Sequence, residues 1–197
     1  ISGVVANKQQ CPAIPYTPEE YAAEARRAVD AGASMIHIHA RTPDGNPSFE
    51  VEDYRKITDA IKAEVPDVII NFSTGAVGIS VEKRLEYLEA IRPDVAALNM
   101  GSMNYAKYSK RRKEFVFGFV FENSFDTIIQ FLTAMNEYGI RPVRELKRNS
   151  YDAIVMAVAH RQFRDMGADA IRRLGRRNHV LYDIKYVFPA AEVDGRL

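Results

Sequence analysis

The chain predicts an α/β fold of parallel β/α units, on three observations. Apolar runs of strand length alternate with amphipathic helical stretches, as parallel strands buried on both faces require. Three of these runs end in polar residues, at His39, Ser73 and Asn99. Those three positions are 34 and 26 residues apart, roughly one β/α unit each. Polar groups at the C-terminal ends of parallel strands are where such folds build ligand sites.

The elements follow in order. Residues 1–6 read as the tail of a strand. Thr17-Pro-Glu-Glu20 is a helix start: Thr17 caps, Pro18 suits the first helical position and Glu20 completes a capping box. That helix runs to about Ala31, and Gly32 ends it. A strand over 34–40, a helix near 50–64, a strand over 67–72, a helix over 80–91 and a strand over 94–99 come next. A polar stretch at 103–113 holds the basic run Lys110-Arg-Arg-Lys113. Residues 115–121 alternate as a strand. Asn123-Ser-Phe-Asp126 opens an amphipathic helix to about Tyr138, stopped by Gly139.

Composition sets outer bounds. The 197 residues suffice for one sizeable core, and 47% hydrophobic with 27% charged residues is globular usage. A net charge of +1 and the absence of a nucleic-acid motif argue against nucleic-acid partners. No apolar run approaches the ~20 residues of a membrane span, so no membrane partner is expected. One cysteine, Cys11, excludes an internal disulfide and points to a reducing, cytoplasmic setting. The chain opens on Ile1 rather than Met and reads as a fragment.

The chemistry-bearing motif is His37-Ile-His39. Residues two apart share a strand face, so both imidazoles point one way. Two neutral imidazoles side by side are a natural ligand pair for a divalent metal, zinc above all. The run at 110–113 suits either a solvated loop or contact with the phosphates of a bulky cofactor such as coenzyme A.

Residues 1 to about 142 resemble the β-keto acid cleavage enzyme family. The resemblance rests on Pro15-Tyr-Thr-Pro-Glu-Glu20, His37-Ile-His-Ala-Arg41, Asn71-Phe-Ser-Thr-Gly75, Leu98-Asn-Met-Gly-Ser102 and Gly139-Ile-Arg-Pro142, in order and spacing. It implies a zinc-dependent (β/α)8 TIM barrel, present here as a partial barrel of four to five units. It implies condensation of a β-keto acid with acetyl-CoA to give acetoacetate and a shortened acyl-CoA. His37 and His39 would be zinc ligands. Ser73, Thr74, Gly75, Asn99, Gly101 and Ser102 would hold the keto acid, and Glu145 falls near the family's next strand-end acid. A homo-oligomer is expected.

There are departures. A (β/α)8 barrel typically takes ~250 residues, and the family's late glutamate ligand, arginine and aspartate have no counterpart before Leu197. Thr42 stands where the family usually has an acid. An incomplete site with impaired turnover is therefore expected. Residues about 150–197 read as a β-α-β unit: a strand from Tyr151, a helix, then a strand at 178–187. They resemble the C-terminal end of UDP-N-acetylhexosamine-type nucleotide-sugar dehydrogenases, but no Gly-rich NAD loop or catalytic cysteine motif accompanies them. His160 reads as a capping or surface histidine. The expected division is 1–145 and 146–197, with a chimeric junction near 143–150. The alternatives are a fragment of an NAD-dependent nucleotide-sugar dehydrogenase and a non-catalytic α/β remnant.

Overall fold

The computed structural model describes residues 1–140 and 146–196. Five α-helices and eight strands fall among them. They lie in two compact units, Ile1–Pro142 and Val143–Leu197.

In the first unit, β1 (Met35–Ile38), β2 (Ile69–Phe72) and β3 (Val95–Ala96) form a parallel sheet in the order β1-β2-β3. Helix α1 (Pro18–Asp30) precedes β1, while α2 (Val51–Glu64) and α3 (Val81–Ile91) cross between strands. The capping box predicted at Thr17 and Glu20 is formed in full. Ser80 caps α3 by accepting from the Lys83 amide at 3.2 Å. Helix α4 (Phe125–Glu137) is capped in the same way by Ser124. Alternation along β1 and β2 sends Ile36, Ile38, Ile70 and Phe72 into the core. There they meet Tyr21 and Ala25 of α1, Tyr54, Ile57 and Ile61 of α2, Tyr87 and Leu88 of α3, and Phe131 and Met135 of α4. One sheet face is thus covered by helices, and His37 lies on the other.

Two expectations are corrected in this unit. Residues 1–6 form no strand. They are held beside β1 and the residue after it by side-chain and terminal bonds instead: the Ile1 amine donates to the His37 carbonyl at 2.8 Å, and the Ser2 hydroxyl donates to the His39 carbonyl at 2.8 Å and accepts from the His39 amide at 3.0 Å. The strand expected over 94–99 shrinks to two residues, because only Val95 and Ala96 find partners on β2, at Asn71 and Phe72. The polar stretch 103–113, for which the sequence predicts no element, is largely strand. It supplies β4 (Met103–Ser109), antiparallel to β5 (Glu114–Phe121), with 110–113 as the turn. The aromatic pairs across this ribbon, Tyr105 with Phe119 and Tyr108 with Phe115, supply the stabilisation that its exposed position denies it. The ribbon is antiparallel and joined by a tight turn, so it is not a further β/α unit.

In the second unit, β6 (Tyr151–Met156), β7 (Gly175–Asp183) and β8 (Gly195–Arg196) are parallel in that order. Helix α5 (Arg161–Arg172) connects β6 to β7, giving the expected β-α-β unit. It is broken at Gly167, whose φ of 75° no other residue adopts cheaply. The second strand starts and ends earlier than 178–187. This unit has its own core of Met156, Ala168, Ile171, Leu174, Leu181 and Phe188.

Candidate functional site

His37 and His39 sit at the C-terminal end of β1, on the sheet face away from the helices. Their Nε2 atoms are 3.3 Å apart and their rings meet edge to face at 5.0 Å. Burial pushes the His37 pKa down, and the nearby amino terminus lowers it further. Burial, then His37, the amino terminus and Arg41, push His39 down to about 4. Both rings are therefore neutral at pH 7, with lone pairs available.

The pair fits a metal. Two nitrogens bound to one tetrahedral zinc, each at ~2.05 Å, stand about 3.3 Å apart. Asn71 lies opposite His37 in the β1–β2 register, and its Oδ1 is buried without a hydrogen-bond partner among the described residues. A polar atom orphaned beside a ligand pair is where an orienting partner belongs. Among the described residues no group of three His, Cys, Asp or Glu side chains could hold a metal together.

The rest of the rim is built by backbone anchoring. Ser73 and Thr74 follow β2 and are buried. The Ser73 amide donates to the Ile38 carbonyl at 3.1 Å, and its Oγ accepts from the Gly75 amide at 3.4 Å. The Thr74 hydroxyl donates to the Ala97 carbonyl, tying the second rim segment to the third. Two buried side chains of α3 hold this segment from below: the Tyr87 hydroxyl donates to the Ser73 carbonyl at 2.9 Å, and Arg84 to the Thr74 carbonyl at 3.2 Å. Burial pushes Tyr87 up to about 12, so it remains a donor. On α1, the Tyr21 hydroxyl donates in the same manner to the His39 carbonyl.

Gly75 and Asn99 are brought together. A Cβ at Gly75 would stand 3.3 Å from the Asn99 Nδ2 and 3.1 Å from the Phe121 ring, so only glycine leaves that space open. Gly101 and Ser102 serve the root of the ribbon: the Asn123 amide donates to the Ser102 Oγ at 3.0 Å, and the Asn123 side chain to the Gly101 carbonyl at 3.3 Å. Glu145 lies outside the described residues. His160 occupies the N-cap of α5 and makes no side-chain cap bond. Sequence reasoning passed over Asn71, although period two from Ser73 places it on the histidine face. It also passed over Asn123, Tyr87 and Tyr21, whose partners lie far off in the chain.

Parallel strands whose ends carry paired imidazoles, hydroxyls and an amide define an α/β protein with a polar rim at the C-terminal strand ends. The family is shown by comparison: the chain belongs to the beta-keto acid cleavage enzymes, whose family profile matches residues 1–168. It is 40% identical over 147 residues to a 3-keto-5-aminohexanoate cleavage enzyme of Fusobacterium nucleatum, covering 74% of this chain and 50% of that protein. It is 30% identical over 162 residues to a 3-oxoadipate:acetyl-CoA acetyltransferase of Cupriavidus necator, covering 82% of this chain and 52% of that one. The chain thus spans about half the length of these relatives. A separate match, 51% identical over 73 residues, is to a UDP-N-acetyl-D-glucosamine 6-dehydrogenase of Salmonella typhi, covering 37% of this chain and 17% of that protein. The fold resembles the apo structure of ObcA, with a TM-score of 0.53 at 20% identity, over 88% of this chain and 36% of that one. The chain therefore carries similarity to two families. The first extends past residue 142, and the two matches are too long to lie end to end, so they share residues.

Proposed function

We propose that the first unit is part of a (β/α)8 barrel and carries part of a β-keto acid-cleaving acyltransferase site. The overall exchange takes a β-keto acid and acetyl-CoA to acetoacetate and the acyl-CoA of the remaining fragment. A proton leaves the carbon between the ketone and the carboxylate. That carbon takes the acetyl group as the thioester C–S bond breaks and frees the coenzyme A thiolate. The thiolate then adds to the original ketone carbon, the old carbon–carbon bond breaks to leave the new acyl-CoA, and the proton returns to the carbon that becomes the CH2 of acetoacetate. Atoms and charge balance with no oxidant or reductant. The observation that carries the reading is the His37–His39 pair at 3.3 Å, on the rim shared with Ser73 and Asn99.

His37 and His39 would hold zinc, which when bound acts as a Lewis acid toward the substrate's ketone oxygen. The residues of the chain do the positioning. The Asn99 amide and the Ser73 hydroxyl bind the carboxylate, and the bare Gly75 backbone admits it. Tyr87, Tyr21 and Arg84 fix the carbonyls under the rim, so these groups keep their geometry when the ligand enters. Asn71 orients His37.

Mass spectrometry tests the reading. The chain, zinc and acetyl-CoA are incubated with 3-oxoadipate or 3-keto-5-aminohexanoate, and acetoacetate and the new acyl-CoA are measured. Zinc-dependent product that disappears in His37→Ala is expected. Product formed equally by the variant removes the histidine pair from the mechanism.

A second reading, a nucleotide-sugar dehydrogenase remnant, rests on the 73-residue match. The cavity of the second unit, about 320 Å³, is lined by Leu146, Ala153, Val155, Met156, Phe163 and other mostly apolar residues. An apolar lining does not suit a diphosphate, so the acyltransferase reading is preferred.

A further inference from the structure

We infer that Arg41 is a positioning residue for the histidine pair: it pins residues 2–6 beside the end of β1, and Ser2 of that segment fixes the backbone of His39. The inference rests on the reading of His37 and His39 as metal ligands and adds what holds one of them in place. Arg41 is 4% exposed and makes no ion pair among the described residues. What meets its guanidinium is main chain. It donates to the Ala6 carbonyl at 2.8 Å and the Gly3 carbonyl at 3.1 Å, and stands 3.5 Å from the Ser2 carbonyl. It also donates to the Gly45 carbonyl, in the turn after β1, at 2.7 Å. Its flat face lies 5.5 Å from the centre of the Tyr16 ring. Gly45, at a φ of 89°, brings the turn against that same ring, where no Cβ fits. The Lys8 amide donates to the Tyr16 hydroxyl at 2.9 Å and closes the far end of the segment. The arrangement buries a charge without a counter-ion and leaves the Arg41 Nε without an acceptor among the described residues. A mere tie between loops does not need that cost, and such costs gather at functional sites.

The path from Arg41 to the ligand pair runs through Ser2. Residues 2–6 form no strand, so no ladder holds them. The Ser2 hydroxyl is buried, donates to the His39 carbonyl at 2.8 Å and accepts from the His39 amide at 3.0 Å. The Tyr21 hydroxyl binds the same carbonyl. Both main-chain polar groups of His39 are thus taken, one residue past the end of β1, where pairing with β2 has stopped. The His39 ring hangs from that backbone, with its Nε2 3.3 Å from that of His37. A ligand pair tolerates little error in such a spacing. The choice of arginine follows from the acceptors. They lie in two separate stretches of chain, and a rigid planar fork of donors reaches both at once. A lysine ammonium is a point charge on a flexible stem and cannot bridge them in one fixed geometry.

Metal titration of the 197-residue chain tests this. Zinc affinity is measured by competition with a chelating dye, and bound cobalt(II) is read from its visible ligand-field bands. Ser2→Ala and Arg41→Lys are each expected to weaken zinc about tenfold or more, as the loss of a partner behind a metal ligand does, and to alter the cobalt bands. The two act in series, so Ser2→Ala/Arg41→Lys is expected to bind zinc within about twofold of the weaker single variant. Ser124→Ala removes the cap of α4 and none of these contacts. It is expected to lower the urea midpoint and leave zinc affinity unchanged. Circular dichroism without metal reports whether each variant is folded. If Arg41→Lys is not, Ser2→Ala, which deletes one hydroxyl, decides the matter. Zinc affinity and cobalt bands unchanged in both single variants, with uptake lost in His37→Ala, overturn the positioning role and leave the metal reading standing. Single losses that add in the double variant overturn the serial path. Zinc weakened as much in Ser124→Ala as in Arg41→Lys means general loosening and overturns the inference. A wild type that takes up no zinc, or uptake unchanged in His37→Ala, overturns the metal reading and the inference with it.

Discussion

His39 carries an electrostatic signature that a pH series reads. Its pKa of about 4 lies below the ~6.5 of an unfolded histidine. Between those values the unfolded chain binds a proton that the folded chain refuses. The contribution of His39 is therefore complete above about 6.5, falls as the pH drops through the window to about 4, and levels off below it. Thermal melts from pH 7.5 to 4.5 are expected to show this loss in the wild type and a smaller loss in His39→Gln. Tyr87 is the second residue to test. Tyr87→Phe removes the donor to the buried Ser73 carbonyl and is expected to cost about 1–2 kcal/mol in urea unfolding. It also loosens the Ser73 segment. A variant as stable as the wild type would show that the rim does not depend on this bond.

Among the elements, α1 carries the best-defined local signal. Its start is decided within four residues, where Thr17 accepts from the Glu20 amide and the Glu20 carboxylate accepts from the Thr17 amide. The Lys8 ammonium and the Tyr16 amide also hold the Glu20 carboxyl below its ordinary range. Thr17→Ala is expected to cost about 1 kcal/mol, the usual worth of such a cap, read as a lower urea midpoint with an unchanged slope. Because α1 supplies Tyr21 to the His39 carbonyl, fraying at its start also reaches the histidine pair. The ribbon is the opposite case. Its turn and aromatic alternation are local, but the irregularity at Val116, which pairs Tyr108 with Phe115 on the face opposite Tyr105 and Phe119, is a property of the pairing.

For the whole molecule, the outstanding fact is two separate cores. One gathers residues of α1–α4 and β1–β2, and the other gathers six buried residues around Leu181. Calorimetry is expected to show two transitions. Phe72→Ala, at a fully buried ring, should lower one by the ~3–5 kcal/mol typical of such truncations. Leu181→Ala, equally buried, should lower the other by ~2–5 kcal/mol. A single transition lowered by both variants would mean that the cores are coupled. No helix among the described residues is long and apolar enough to cross a membrane.

The sequence by itself determined what depends on neighbours a few positions apart. Period two put His37 and His39 on one face, Thr17 and Glu20 marked a helix start, and alternating apolar runs marked β1, β2 and the crossovers between them. Such features are short-range, so one stretch of chain contains all their causes. Tertiary structure decided the rest. The 3.3 Å spacing of the two imidazoles, the approach of Asn71 to His37 and the closeness of Gly75, Asn99 and Phe121 come from strands and loops meeting across the fold. So do the hydroxyls of Tyr21 and Tyr87 under the rim, each bound to a carbonyl more than a dozen residues away. The short length of β3 and the absence of a strand at 1–6 are likewise decided by which strands find partners. A residue's propensity for the extended state is local, but the hydrogen bonds that make it a strand belong to another part of the chain.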